Sequence, residues 1–240
     1  MPEIIIIIPS RYGSTRLKGK PLIKIAGKPM IQHVYEQSQK AVGISDVIVA
    51  TDDKRIFDTI IGFGGNARMT SGKHRSGTDR IAEVAKRLKA EIIVNVQGDE
   101  PLVKPRMIEE LVSPIINEDV VMSTLKCKIK NKEDIENPNI VKVVTDLEDN
   151  ALYFSRSIIP HSIGYKNIYK HIGLYAYKKD FLIKFSQMSP SNLEKIESLE
   201  QLRVLENGWK IKVVETQNQS QGVDTLDDVR RVTSLIEGRY

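Results

Sequence analysis

The chain carries one cysteine, Cys127. A lone thiol excludes an internal disulfide and a cysteine-built metal site, and it makes the cytoplasm the natural compartment. Cys127 falls in the apolar-rich stretch Val120–Lys130, where a buried, inert thiol is expected. Aromatic residues are only 6% of the 240, with a single tryptophan, and basic and aromatic residues do not alternate as they do where bases stack on a protein. Long hydrophobic runs are missing as well. Ile4–Ile8 is strongly apolar, but it is too short for a signal core and follows no basic segment. No stretch approaches a membrane span. Nor are there blocks of one charge sign: the formal net charge is +5, yet Lys and Arg are interleaved with Asp and Glu, which reads as a solvated mixed face. The expectation is therefore a protein with no nucleic-acid and no membrane partner. Its positive balance suits anionic small molecules.

What is present is an ordinary globular composition, 40% hydrophobic and 28% charged, in a chain long enough to bury roughly 70–75% of its unfolded surface. Glu3–Ile8 reads as a buried strand from its continuous β-branched run. Pro29 opens a helix whose apolar face takes in Met30, Val34, Tyr35, Ala41 and Val42. Val47–Ala50 and Ile92–Val96 are further strands, with helices over Lys54–Phe63, around Ile81–Leu88 and over Pro105–Ile116. This β-α-β-α order predicts an α/β fold, a doubly wound, mostly parallel Rossmann-like sheet. Strands then follow one another at Val120–Lys130, Ile140–Thr145, Ala151–Ser155 and His171–Tyr177, predicting a β-rich lobe at about 120–185 inserted into a single domain spanning 1–240. A long helix over Ser191–Leu205, stopped by Gly208, and a final helix opened by a Thr225/Asp228 capping box complete the expectation.

Ligands in open α/β sheets sit at the carboxyl ends of the strands, and three loops there carry unusual chemistry. Pro9–Pro21 follows the first strand and holds two glycines, three small hydroxyls and four cations, Arg11, Arg16, Lys18 and Lys20. Flexible amides with several cations are what a triphosphate needs. The loop is neither a Walker P-loop, since Pro21 stands where Ser or Thr is required, nor G-x-G-x-x-G. Gln97-Gly98-Asp99-Glu100-Pro101 offers carboxylates that could meet Mg²⁺ beside phosphates, although a plain turn explains it equally well. Gln221-Gly222-Val223-Asp224-Thr225 precedes a helix; there the simple reading is an acid serving the helix terminus. Together, two separated aspartates could clamp an in-line displacement.

The runs IPSRYGSTRLKGKPL, SGTDRIAEV, NVQGDEP, NPNIVKVV, ALYFSRSIIP, KHIGLYAY, IESLEQLRVLENG and GVDTLDDV resemble the 3-deoxy-manno-octulosonate (Kdo) cytidylyltransferase family nearly end to end and in family order. The resemblance implies a cytoplasmic homodimer that uses CTP and Mg²⁺. The anomeric hydroxyl of Kdo attacks the α-phosphate, giving CMP-Kdo and pyrophosphate for lipopolysaccharide synthesis. It implies catalytic roles for Arg11, Lys20, Asp99 and Asp224, with Asp99 and Asp224 as metal ligands. Pro9, Ser10, Arg11, Arg16, Lys20, Thr70, Ser76 and Gly77 are then nucleotide-binding, with Thr70–Gly77 framing cytosine, and Gln97, Arg156, His171 and Glu197 are sugar-binding.

Taken alone, several of these residues have plainer readings. Arg156 in an apolar strand reads as an ion-pair residue, and His171 as a satisfied core histidine. Glu197 and Glu200 share a helix and one of them could face water, while His33 and His74 read as structural or exposed. Two other functions stay open at this point: the same chemistry on 8-amino-Kdo or another acidic sugar, and a nucleotide-binding module that has lost the reaction. Both aspartates and the basic loop weigh against the second.

Overall fold

The computed structural model describes residues 2–13, 17–161, 167–220 and 222–238. They form two compact units, Met1–Glu109 with Ser220–Tyr240, and Glu110–Gln219. The first unit begins with β1 (Ile4–Ser10), a 3-10 turn over Lys20–Leu22, and the small ribbon β2 (Lys24–Ile25) and β3 (Lys28–Pro29). It continues through α1 (Met30–Ser38), β4 (Asp46–Thr51), α2 (Lys54–Gly62), β5 (Asn66–Met69), α3 (Gly77–Ala85), β6 (Ile92–Asn95) and α4 (Pro105–Asn117), which runs past the unit boundary. The second unit holds β7 (Met122–Lys128), α5 (Lys132–Glu136), β8 (Lys142–Thr145), β9 (Ala151–Ser155), β10 (Tyr169–Lys178), α6 (Lys179–Gln187), α7 (Asn192–Glu197), α8 (Leu202–Glu206) and β11 (Lys212–Glu215). Helix α9 (Leu226–Glu237) returns to the first unit.

In the first unit the strand order is β6-β1-β4-β5, all parallel. Ile6 sits between Val47 on one side and Val94 on the other. Helices α1 and α3 both pack on β1, and a strand covered on both faces is a continuous isoleucine run rather than an alternation. Burying each such side chain contributes about 1.5–3 kcal/mol. The chain steps from β1 to β4 to β5 in one direction and then returns across the sheet to β6. With right-handed crossovers, α1 and α2 lie on one face and α3 on the other, and α3 packs on β1, β4 and β6. The α/β, mostly parallel architecture expected from the sequence is thus present. The reversal opens a crevice between the carboxyl ends of β1 and β6. Helix α9 is tied to the same unit through Val223 and Val232, which pack on Ile25 and Met30.

Boundaries differ in places. α1 ends at Ser38, so Ala41 is buried beyond the helix and Val42 is exposed. In the second unit β10 runs antiparallel to β7 and β8, β8 antiparallel to β9, and β11 parallel to β7. The helices α5 and α6 lie where no helix is expected from the sequence. The long helix expected over Ser191–Leu205 is instead broken. Ser198 adopts a left-handed conformation, φ 55° and ψ 46°, and Ile196 is 70% exposed. The break coincides with a long-range contact: the Glu197 carbonyl accepts a hydrogen bond from Arg156 Nε at 3.0 Å, an acceptor that a continuing helix would use for its own ladder. Gly208, φ +76°, follows α8 as expected.

Candidate active site

The crevice at the β1/β6 reversal is a cleft of about 310 Å³, walled by Pro9, Ser10, Arg11, Lys20, Pro21, Met30, His74, Arg75, Ser76, Gly77, Arg80, Gln97, Gly98, Asp99 and Asp224. β1 delivers Pro9 and Ser10 at its end. Gly98 lets the loop after β6 pass close beneath them: a Cβ there would lie 3.0 Å from the Pro9 carbonyl oxygen. Ser10 is buried, and its Oγ has no hydrogen-bond partner among the described residues. Such a group costs about 1–3 kcal/mol until something pairs with it. Arg11 is exposed beside the cleft, and Arg16 lies outside the described residues.

Lys20 reaches the cleft from the 3-10 turn. Gly19 precedes it at φ +69°, and a Cβ on Gly19 would lie 3.0 Å from the Tyr12 ring. That ring is covered by the Arg55 guanidinium, 3.3 Å from its centroid, and Arg55 is gripped by Asp53 through bonds of 2.9 and 2.6 Å. The loop is therefore anchored on α2 through a stacked cation. Lys20 Nζ donates to Asp99 Oδ2 at 2.6 Å and to Asp224 Oδ1 at 2.8 Å. Burial works to lower its pKa, but the Asp99 charge and the hydrogen bonds to both carboxylates outweigh it and raise the lysine above its ordinary value. Asp224 is brought alongside Asp99 by the backbone, where Val223 N–H donates to the Asp99 carbonyl at 2.9 Å. The carboxyl of Asp228, in the α9 capping box, accepts from the backbone of Asp224 and Thr225.

Two partly exposed carboxylates converging on one cation form a hard-oxygen set that fits Mg²⁺, which takes one or two carboxylates and completes its shell with phosphate and water oxygens. Residues 74–77 form another wall. Arg80, 4% exposed, donates to Thr70 Oγ1 at 2.5 Å and to Asp52 at 2.9 Å. Glu83 accepts from Ser71 N–H at 3.0 Å and has His74 Nε2 at 2.5 Å. These bonds, the first from Ser71 and then that from His74, hold the Glu83 pKa low. Ser76 caps α3 in a reciprocal box with Asp79. Gln97 Nε2 donates to Asn95 at 3.4 Å.

The other predicted sugar residues belong to the second unit. Arg156 Nε and Nη1 donate to the carbonyls of Glu197 and Pro138 at 3.0 and 3.1 Å. Glu197 in turn accepts from the Arg156 backbone at 3.0 Å and from Ser155 Oγ at 2.7 Å. Glu197 does not simply face water; it ties α7 to β9. Lys142, fully buried beneath them, donates to the carbonyls of Asn137 and Arg156 at 2.8 and 3.1 Å. His171 Nε2 lies 2.9 Å from Thr124 Oγ1, which is 2.8 Å from the Leu174 carbonyl. The carbonyl can only accept, so Thr124 donates to it and accepts from His171 Nε2–H. Burial pushes the His171 pKa down to about 3, leaving a neutral ring with Nδ1 unprotonated.

A cytidylyltransferase family model matches residues 5–211. The 3-deoxy-manno-octulosonate cytidylyltransferase of Geotalea uraniireducens strain Rf4 is 55% identical over 249 residues, covering 98% of this chain and 99% of its own. The chain belongs to that family of nucleotidyltransferases. The enzyme of the same name from Geotalea daltonii is 53% identical, covering 99% of both chains. A solved CMP:2-keto-3-deoxy-manno-octonic acid synthetase, complexed with CTP, superposes with a TM-score of 0.94 at 43% identity, over 99% of this chain and 100% of that one.

Within this cytidylyltransferase the first unit gathers Pro9, Ser10, Arg11, Lys20, Ser76, Gly77, Gln97, Asp99 and Asp224 around one cleft. Thr70 stands behind it as the partner of Arg80. Arg156, His171 and Glu197 form their own network in the second unit. Arg80 also lines the cleft, though no site role is expected for it from the sequence, and so do Arg75 and His74 from the 70–77 loop, His74 where a structural or exposed residue is expected. Arg80 stands inside the SGTDR run that carries the family resemblance, so its signal was present; His74 had none beyond its position in the loop. Cys127 is buried, and burial pushes its thiol pKa up, in keeping with an inert role. His33 donates to the Ile25 carbonyl at 2.7 Å, a structural bond.

Proposed function

We infer that this cytidylyltransferase transfers CMP from CTP to the anomeric hydroxyl of Kdo, releasing pyrophosphate with Mg²⁺ as cofactor, and that the product serves lipopolysaccharide synthesis in the cytoplasm. The observation that carries this reading is the switch-point cleft, which Arg11, Lys20, Arg75 and Arg80 line together with the Asp99–Asp224 pair. The names of the relatives support the choice of sugar. Three phosphates repel an oxygen nucleophile, and cations placed around the cleft act on the charge that develops as the α-phosphate is attacked. Arg11, Lys20 and, from the same loop, Arg16 bind the triphosphate. Pro9, Ser10 and residues 70–77 frame the base, with Arg80 holding Thr70 in place. Asp99 and Asp224 would hold Mg²⁺, which when bound neutralises phosphate charge and lowers the pKa of an oxygen it contacts. Gln97, Arg156, His171 and Glu197 bind the sugar. Arg156 is held by two backbone carbonyls, so it meets a carboxylate with little ordering left to do. Homodimerisation is part of the same reading.

The test is pyrophosphate release from CTP and Mg²⁺, run in parallel with Kdo, 8-amino-Kdo and N-acetylneuraminate. Turnover with Kdo supports the reading, and preference for another sugar reassigns the substrate. CTP binding without release for any of them would return the chain to a nucleotide-binding module.

A further inference from the structure

One nitrogen, Lys20 Nζ, contacts both Asp99 Oδ2 and Asp224 Oδ1, at 2.6 and 2.8 Å. We propose that this ammonium is a built-in counter-cation that keeps a divalent ion off the Asp99–Asp224 pair until a nucleotide triphosphate draws the lysine away, so that metal and nucleotide are taken up together. The inference rests on the reading of the pair as metal ligands and of Lys20 as a phosphate contact, and adds their competition.

The competition follows from geometry. A direct metal ligand lies about 2.0–2.1 Å from Mg²⁺, and these two oxygens are already turned toward one ammonium. A second cation on the same oxygens would meet the lysine charge at contact range, where repulsion is strong. The lysine is also well held. Its side chain is 10% exposed, against 38% and 46% for the two aspartates, so the carboxylates face the cleft and the lysine supports them from the wall. Gly19 and the Tyr12–Arg55 stack fix the backbone from which it extends. Leaving without a new acceptor would strand a largely buried charge, which is costly. Moving to a phosphate keeps the ammonium hydrogen-bonded to anionic oxygens and requires only its flexible tip to turn. Nucleotide and metal must then strengthen each other by the same factor.

The test uses Mn²⁺ as the probe on the full chain, titrated by electron paramagnetic resonance with and without a non-hydrolysable CTP analogue. Wild type is compared with Lys20→Met, Lys20→Gln, Asp99→Asn and the double variant Lys20→Met/Asp99→Asn, each checked for folding by its melting transition. Without nucleotide, Lys20→Met and Lys20→Gln are expected to bind Mn²⁺ roughly tenfold or more tightly than wild type. Asp99→Asn should abolish that gain, and the analogue should tighten Mn²⁺ binding more in wild type than in Lys20→Met. Equal nucleotide-free affinity in wild type and both Lys20 variants, with Asp99→Asn alone still weakening Mn²⁺ binding in the presence of the analogue, overturns the competition and leaves the metal ligands standing. Mn²⁺ binding indifferent to Asp99→Asn in every background removes the metal reading and the competition with it.

Discussion

Gly19→Ala tests whether the basic loop is built as tightly as its contacts indicate. Gly19 stands at φ 69° and ψ 21°, where an L-residue costs about 1–2 kcal/mol. The added Cβ would also lie 3.0 Å from Cε2, Cζ and Oη of Tyr12. The ring cannot retreat freely, because the Arg55 guanidinium covers it and Asp53 fixes that guanidinium. Partial yielding of the ring adds about 1 kcal/mol of overpacking, so the whole effect is about 2–3 kcal/mol, or a fall in Tm of roughly 4–12 °C. Lys20 is the next residue, so the Michaelis constant for CTP should rise more than that for the sugar. Urea unfolding and initial-rate kinetics measure both effects. Gly19→Ala/Tyr12→Ala separates them: with the ring gone the overpacking disappears, leaving the backbone cost beside the loss of the stack. A single Gly19→Ala variant with unchanged Tm and unchanged CTP kinetics would show that the loop does not hold Lys20 in the way described.

Three further outcomes are expected. Asp99→Ala or Asp224→Ala should lower CMP-sugar formation by on the order of 10²–10³ or more, while the remaining carboxylate keeps Lys20 paired and the fold cooperative; full activity in either refutes their joint role. Arg203 grips Glu194 through 2.7 and 2.5 Å bonds with both side chains largely buried. Arg203→Met should cost about 3–5 kcal/mol in urea unfolding by stranding that charge, and a loss under about 1 kcal/mol contradicts it. For His171, the unfolded ring takes a proton near 6.5 while the folded ring resists until about 3. The unfolded state thus binds more protons between these values, and stability falls as the pH drops through that window, by up to about 1.4 kcal/mol per unit. His171→Gln should flatten this acid limb; an unchanged slope between pH 6.5 and 4.5 would show that another group sets it.

What could be read from the sequence was local. The isoleucine run of β1 declares burial on both faces, and the Thr225/Asp228 spacing declares the start of α9. Asp99 and Asp224 could be singled out because each follows a strand or precedes a helix. Their meeting on Lys20, 79 and 204 residues distant, depends on the β1/β6 reversal and on the Val223–Asp99 backbone bond, neither of which has a local signature. The same limit explains the break at Ser198. Leu193, Ile196, Leu199, Leu202 and Leu205 keep helical spacing through the break, and serine carries no warning of a left-handed turn. The deciding contact, Arg156 with the Glu197 carbonyl, lies 41 positions away in sequence. Lys142 makes the point most sharply. In a strand it reads as a solvent-facing residue, yet it is fully buried, because Asn137 and Arg156 each turn a carbonyl toward it. Burial and the neighbouring Arg156 charge lower its pKa. A charge placed there is tolerated only because the backbone folds around it to supply acceptors, one of them the carbonyl of Arg156, which bonds Glu197 on its own account.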